Sequence, residues 1–450
     1  MASSRKSQPA SALAQSVDAV LRQHVQRGGR VVAGLSGGVD SVVLLDLLER
    51  AAPRHGFTLT ALHVNHQIQP AAASWAAFCR ELCRRRGIQL KVMRVKVARG
   101  ASLEAQARAA RYRAFAAQRA DFFALAHNLD DQAETVLLQL LRGAGVKGVS
   151  AMPVLRQPVF HAAVLRPLLD VTRAEIEAYA RRRKLEWVED ASNSDVELDR
   201  NFLRHRVLPL IAERYPSYRT TLARASRHFA ESAQVLDELA AADARLTAHG
   251  LGIAPLLKLS AARAKNVLRY FIAQNGVVMP NAARLDECVR QLRGRRAARI
   301  VVELGTHELR RHGGELRVVV KSPALARGFR RAWRGEARLA LPELGGVLAL
   351  ARCRGRGISL GKLTARPVSV RLRVGGERLR PHAQRPRRSL KNLLQEAHVP
   401  PWQREQLPLL YSGSTLVYVP GIGIDAAYCA RPGETAVAPR WISGRHRKRR

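Results

Sequence analysis

The sequence predicts an α/β fold: a doubly wound parallel sheet, followed by a mainly helical domain and a small α+β C-terminal domain. Three observations carry that expectation. Strand-like and helix-like stretches alternate over about the first 210 residues, the pattern of a parallel sheet wrapped by helices. A strand passes straight into a helix through two glycines in "VVAGLSGGVDSVVLLDLL", residues 31–48. From about residue 216 the apolar spacing becomes helical, and only short strand-like pieces follow.

Taken in order, the strands read at "RVVAGL", "TLTALHV", "LKVMRVKV" and "DFFALAH". Helices lie between them at "SVVLLDLLERAA", "SWAAFCRELCRRRG" and "SLEAQARAARYRAFAAQRA". In the second helix Trp75, Phe78, Cys79, Leu82 and Cys83 mark an apolar face, so both cysteines read as packing residues. In the third, Ser102 is the expected N-cap and Glu104 an acid in the first turn. Ligands on such sheets bind beyond the carboxyl ends of the strands, where strand order switches. Residues 36–41, 63–66 and 127–131 all follow strand ends and are expected to line one crevice. The expected organisation is a catalytic domain over 1–215, a helical domain over 216–330 and a connector with short strands over 331–365. A C-terminal domain over 366–441 and a basic tail over 442–450 complete it.

Lys and Arg number 76 against 36 acidic residues, a net charge of +40 in 450 residues. Such self-repulsion points to a polyanionic partner, usually nucleic acid; a biased genome explains arginine for lysine but not the shortage of acid. No apolar run approaches the roughly 20 residues of a membrane helix. The opening "MASSRKSQPASALAQ" lacks the apolar centre of a secretory signal, so a cytoplasmic chain without membrane attachment is expected. The five cysteines include no C-x-x-C pair, which argues against a zinc or dithiol site.

At the glycine-bearing join, backbone N–H groups and the helix start favour an anion. Gly37 and Gly38 allow close approach, and the Ser36 and Ser41 hydroxyls add donors. Asp40 beside an anion makes sense if Mg²⁺ lies between them. The stretch lacks the lysine of a Walker A loop. It matches S-G-G-x-D-S and so resembles the PP-loop ATP pyrophosphatases, which split ATP between its α and β phosphates. "GAGVKG", residues 143–148, spells a dinucleotide pattern but follows a helical stretch, so that reading is rejected.

A second constellation lies in "LAHNLDDQAETVLLQLLRGAG". It sets His127 at a strand end, with Asp131 and Glu134 on one face of the next helix beside Thr135. Two carboxylates turned toward a crevice can hold Mg²⁺ or an amine. "HVNH" places Asn65 and His66 at another strand end, and Arg108 and Arg111 sit on a helix with Tyr112 and Phe115.

Together these segments resemble the tRNA(Ile)-lysidine synthetase family, joined by "VEDASN" (189–193 and its preceding residue), "DRNFLRHRVLPLI" and the C-terminal stretch from "VGGERLRPHAQ" to "GIGID". The resemblance is close over 31–210 and 370–425. Two positions depart from the family pattern: Asn128 stands where a second histidine is usual, and "QIQ", with Gln69, replaces G-L-R.

The resemblance implies a two-step reaction. Cytidine O2 at the first position of a CAU anticodon attacks the α-phosphate of ATP; free L-lysine then displaces AMP from C2, leaving lysidine. It implies catalytic roles for Asp40, His127, Asp131, Glu134, Arg108 and Arg204, with ATP bound by Ser36, Gly37, Gly38, Val39, Asp40 and Ser41. Lysine would be held by Asp131, Glu134 and Asp190, and Mg²⁺ by Asp40 and Asp131. The tRNA would meet Asn65, His66, Arg111, Arg200, Arg206, Arg378, Arg380, Arg387, Arg388 and Lys391. In "SLKNLLQEA", Leu390, Leu393, Leu394 and Ala397 are expected inward and Lys391 outward. The oligomeric state stays open, a homodimer being one expectation. A thiolating PP-loop enzyme is the nearest rival, and a non-catalytic RNA-binding protein a more distant one.

Overall fold

The computed structural model describes residues 9–67, 71–95, 103–156, 162–190, 195–294, 300–321 and 328–443. The chain divides into two compact units, Met1–Glu238 and Leu239–Arg450.

In the first unit, α1 (Pro9–His24) precedes β1 (Arg30–Gly34), α2 (Val39–His55), β2 (Thr58–Asn65), α3 (Ala72–Arg85) and β3 (Leu90–Arg94). Then come α4 (Leu103–Ala116), β4 (Phe122–Ala124), α5 (Leu129–Leu141), α6 (Val146–Val149), β5 (Leu155–Arg156), β6 (Ala163–Leu165) and α7 (Arg173–Arg182). The sheet runs in the order β3-β2-β1-β4-β6-β5, parallel except for β5 against β6. The order reverses between β1 and β4. Their following loops therefore open onto the crevice where ligands of such sheets bind. One face is closed by α1, α2, α3 and α7 through Leu21, Val43, Leu44, Cys79, Leu82 and Ile176. The other face packs Val32, Leu62, Phe123 and Val164 against Phe115 of α4. Both cysteines of α3 are buried among apolar side chains, and burial pushes the Cys79 thiol up to about 12.

Short α8 (Asp199–Phe202), a wide π-type turn at Leu203–Val207, α9 (Leu208–Arg214) and α10 (Tyr218–Asp243) follow. Ala133 of α5 packs with Leu208 and Tyr218 there.

The second unit begins with β7 (Leu251–Gly252), α11 (Ile253–Leu257), α12 (Ala261–Gln274) and α13 (Ala282–Arg293). A four-stranded antiparallel sheet adds β8 (Val301–Leu304), β9 (His307–His312) and β10 (Glu315–Val320) to β7. Leu268, Phe271 and Cys288 of the helices pack on Val302, Leu309 and Leu316. The strand β9, "HELRRH", has no strand-like sequence because polar residues occupy both of its faces, with Glu308 buried beside Leu309.

β11 (Arg330–Ala332) opens the stretch read from sequence as a connector with short strands, 331–365, which also carries β12 (Arg338–Leu341) and the longer β13 (Gly346–Arg354). All nine residues of β13 pair antiparallel with Thr435–Ser443. Glycine and arginine dilute the apolar alternation here, which concealed the length of a strand whose Leu348 and Leu350 are core residues. The helix Leu390–Glu396 is capped by Ser389 and buries Leu390, Leu393 and Leu394 as expected. Ala397, expected inward, is exposed because the helix ends one residue earlier.

Candidate active site

The turn between β1 and α2 is only four residues long, 35–38, and its shape is set by hydrogen bonds inside it. The Ser41 hydroxyl accepts from the Ser36 and Gly37 amides at 3.2 and 3.1 Å and donates to the Gly38 carbonyl at 2.9 Å. The Ser36 hydroxyl donates to Ser41 Oγ at 3.0 Å. Both serines, expected as donors to a phosphate, are thus engaged in holding the loop. Gly37 has φ +97°, and a Cβ there would come 2.9 Å from Val188 Cγ2. Its carbonyl accepts from the Val188 amide at 3.0 Å, which ties the segment before Asp190 to the loop. Gly38 differs: its φ is −71°, and a Cβ would meet nothing closer than Ser36 Oγ at 3.6 Å. The protein itself leaves that room open. No side chain caps α2 at Gly38, so the first amides of a 17-residue helix face the opening.

Across the crevice, α5 starts with a capping box. Asn128 Oδ1 accepts from the Asp131 amide at 2.9 Å, and Asp131 Oδ2 accepts from the Asn128 amide at 3.1 Å. Asn128 Nδ2 also donates to Asp40 Oδ1 at 3.2 Å, joining the two loops. One turn on, Glu134 is only 1% exposed. The Arg204 guanidinium forks onto it, Nε to Oε1 at 2.6 Å and Nη2 to Oε2 at 2.9 Å, and reaches Asp131 Oδ1 at 3.2 Å. Arg200 lies 3.9 Å from Glu134 and donates to Thr135 Oγ1 at 3.3 Å. The π-type turn holding Arg204 adds a residue to the helical repeat and so re-aims side chains, a common device at functional sites.

Burial pushes the Glu134 carboxyl above the usual carboxylate range, opposed by the Arg204 fork and helped by the Asp131 charge. Burial raises Asp40 as well, against the pull of Arg173. Asp130 points elsewhere: it pairs with Arg219 of α10 and accepts from the Arg173 amide at 2.8 Å. It is a tie between helices.

The profile of the PP-loop domain family matches residues 9–211, that of the TilS substrate binding domain 251–317, and that of the TilS substrate C-terminal domain 368–441. A tRNA(Ile)-lysidine synthase from Nitrosomonas europaea is 44% identical over 430 residues, covering 94% of this chain and 93% of its own. The chain belongs to the tRNA(Ile)-lysidine synthase family. A second member, from Azoarcus sp., is 42% identical and covers 92% of each chain. Solved structures overlap more loosely. A U34-tRNA thiolase from Methanococcus maripaludis gives a TM-score of 0.42 at 21% identity, covering 50% of this chain and 80% of that one. A TilS C-terminal domain gives 0.22 at 18% identity, covering 26% and 98%.

Within this lysidine synthase family fold, other expected residues are more dispersed. The Asn65 side chain donates to the Ala72 carbonyl at 3.0 Å and accepts from the Gln67 amide at 2.9 Å, so it shapes the turn after β2. His127 is half-buried at the end of the β4 loop, Arg111 is half-buried on α4, and Arg206 is exposed. The Arg108 side chain and residue Gln69 lie outside the described residues. In the second unit, Arg387 donates to the fully buried Asp425 at 3.1 Å, and Arg388 pairs with Glu396. Arg378 donates to the Arg387 carbonyl at 2.9 Å, the Arg380 amide donates to Asp425, and Lys391 is exposed.

Two site residues were missed by sequence reasoning. Arg173 meets Asp40 at 2.5 Å, and nothing local marks it, since 133 residues separate the pair. Asn128 had a signal in its N-cap position, read only as a departure from pattern. Asn128→Ala is expected to lower stability by about 1–2 kcal/mol through loss of the cap, measured by denaturant unfolding.

His66 carries a further expectation. Burial, then the nearby Arg111 and His63, push it down to about 4. Its ring is therefore neutral at neutral pH. The unfolded chain protonates near pH 6.5 while the folded one waits until about 4, so stability falls as pH drops through that window. Imidazole ¹⁵N shifts of His66 should stay constant between about pH 5.5 and 8; titration near 6.5 would contradict this.

Proposed function

We propose that the protein joins free L-lysine to C2 of the cytidine at the first position of the CAU anticodon of tRNA(Ile). ATP is consumed through an adenylated cytidine, giving AMP and pyrophosphate. The observation that carries this reading is the gathering of Asp40, Asp131 and Glu134 at the strand-order switch, with Arg204 across two of them.

The open start of α2 and the space beside Gly38 suit the leaving pyrophosphate. Asp40 and Asp131, two carboxylates in the same crevice as the open start of α2, would hold a Mg²⁺ ion. That ion would supply positive charge to the developing pyrophosphate. Asp131 and Glu134 then take the lysine ammonium, with Asp190 following the segment tied to Gly37. Lysine's amine, with a reference pKa near 10.4, must lose a proton before it attacks. Glu134, pushed upward by burial, is the better-matched acceptor for it. The +40 charge supplies grip along the tRNA backbone, a grip that weakens steeply with salt. The work belongs in the cytoplasm, where tRNA is modified. No helix among the described residues is long and apolar enough to cross a membrane.

Mass spectrometry of tRNA(Ile) incubated with the protein, ATP and lysine is expected to show one added lysine residue, with AMP as the nucleotide product. Production of ADP, or incorporation from a sulfide donor in place of lysine, would overturn the proposal.

A further inference from the structure

Arg173 stands where a helix does not want a cation. It is the first residue of α7, where the partial positive charge of the N-terminus favours acids. Thr172 and Glu175 already form a complete capping box there, so the helix start has no need of Arg173. What fixes the side chain is acidic. Nη1 pairs with Asp40 Oδ2 at 2.5 Å, Nε donates to Glu177 Oε1 at 2.9 Å, and the backbone amide donates to Asp130 Oδ2 at 2.8 Å.

Both Asp40 oxygens have a donor: Arg173 on one and Asn128 on the other. Each oxygen keeps a second lone pair, but a divalent cation ligating this carboxylate meets the like charge of a guanidinium 2.5 Å away. Asn128 is 3% exposed and locked in the α5 cap, whereas the Arg173 side chain is 44% exposed and keeps Glu177 as a partner when it lets go. Arg173 is the donor that can leave.

We propose that Arg173 is a placeholder counter-ion for Asp40, exchanged for the divalent cation when metal and nucleotide enter together. The inference rests on the reading that Asp40 takes the metal. Its physical logic is charge balance. Asp40, Asp131 and Glu134 share one crevice; Arg204 hydrogen-bonds the last two and reaches Asp40 only through space. Without Arg173, Asp40 would face Asp131 in a partly desolvated space with only that weaker compensation. With it, the crevice is ordered while empty and resists free metal. A metal already carrying polyphosphate gains the amides of α2 as well as the carboxylate, and so outcompetes the guanidinium. The device selects metal–nucleotide over metal alone.

The test uses Mn²⁺ as probe, titrated into the full-length protein without nucleotide and followed by electron paramagnetic resonance. Wild type is expected to bind weakly, and Arg173→Gln about five- to tenfold more tightly, the scale of a partly exposed ion pair. Arg173→Lys, which keeps a cation in place, should resemble wild type; circular dichroism and thermal melts establish that each variant is folded. Equal or weaker Mn²⁺ binding by Arg173→Gln overturns the placeholder role, as does binding by Arg173→Lys as tight as by the glutamine variant. Adding Asp40→Asn to Arg173→Gln should abolish the gain. If the double variant keeps tight binding, it is the assignment of Asp40 to the metal that fails.

Discussion

Replacing Glu134 by alanine is expected to lower lysidine formation by about 1000-fold or more while pyrophosphate release falls far less. The asymmetry follows from position. Glu134 lies one turn into α5, beneath the Arg204 fork, while the loop proposed to take the phosphates leads into α2 and Asp40. On the proposed reading Glu134 receives lysine, and so acts after the base has been adenylated. Equal loss of both steps would mean that Glu134 serves the nucleotide. The substitution also strands Arg204 beside a vacated, 1%-exposed position, so a stability loss of about 3 kcal/mol is expected from the broken pair. Glu134→Gln keeps the shape and one acceptor oxygen. It should fold better yet remain defective, since it neither balances the ammonium nor accepts its proton. Because burial pushes both Glu134 and Asp40 upward, the acid limb of the pH–rate profile is expected above the range of exposed carboxylates.

Gly37→Ala is expected to weaken ATP binding by at least about 100-fold, measured by equilibrium dialysis. Two penalties coincide at this residue. At φ +97° a Cβ is strained by about 1–2 kcal/mol before any contact is counted. The new methyl would also lie 2.9 Å from Val188 Cγ2 and 3.3 Å from Cys79 Sγ, with no room on either side. Relief requires the 36–41 loop to move, which breaks the hydrogen bonds to Ser41 and the Val188–Gly37 link. Gly38→Ala provides the contrast. It should leave the ligand-free fold nearly untouched, since a Cβ meets only Ser36 Oγ at 3.6 Å, and still reduce ATP binding if that open space takes the nucleotide as proposed.

The part of the site that sequence reveals is the part encoded locally. Ser36 to Ser41 shape one turn among themselves, and Asp131 and Glu134 share a helical face, so spacing alone displays them. Arg204 was reachable only through family resemblance, since its partners lie 70 and more residues away. Arg173 was not reachable: an arginine opening a surface helix looks like solvated charge, and only the fold brings it to Asp40. Asn65 carries a structural role that spacing did not display: its side chain bonds Ala72 and Gln67 in the turn after β2. At the level of fold, the parallel sheet was legible because buried strands read as apolar runs. The strand β9 was not, because polar residues occupy both its faces, and the full length of β13 was not, because exposed Ala351, Arg352 and Arg354 break the alternation.

The pairing of β13 with Thr435–Ser443 has a consequence for biogenesis. One side of that ribbon leaves the ribosome well before the other, and everything between Arg354 and Thr435 must be translated before the edge is covered. Until then β13 offers unpaired amides and carbonyls, an invitation to another nascent chain. Its Arg352 and Arg354 act as gatekeepers during the wait, repelling a second copy of the same strand. Formation of this sheet, dominated by contacts remote in sequence, is therefore expected to be the slow phase of folding for the second unit.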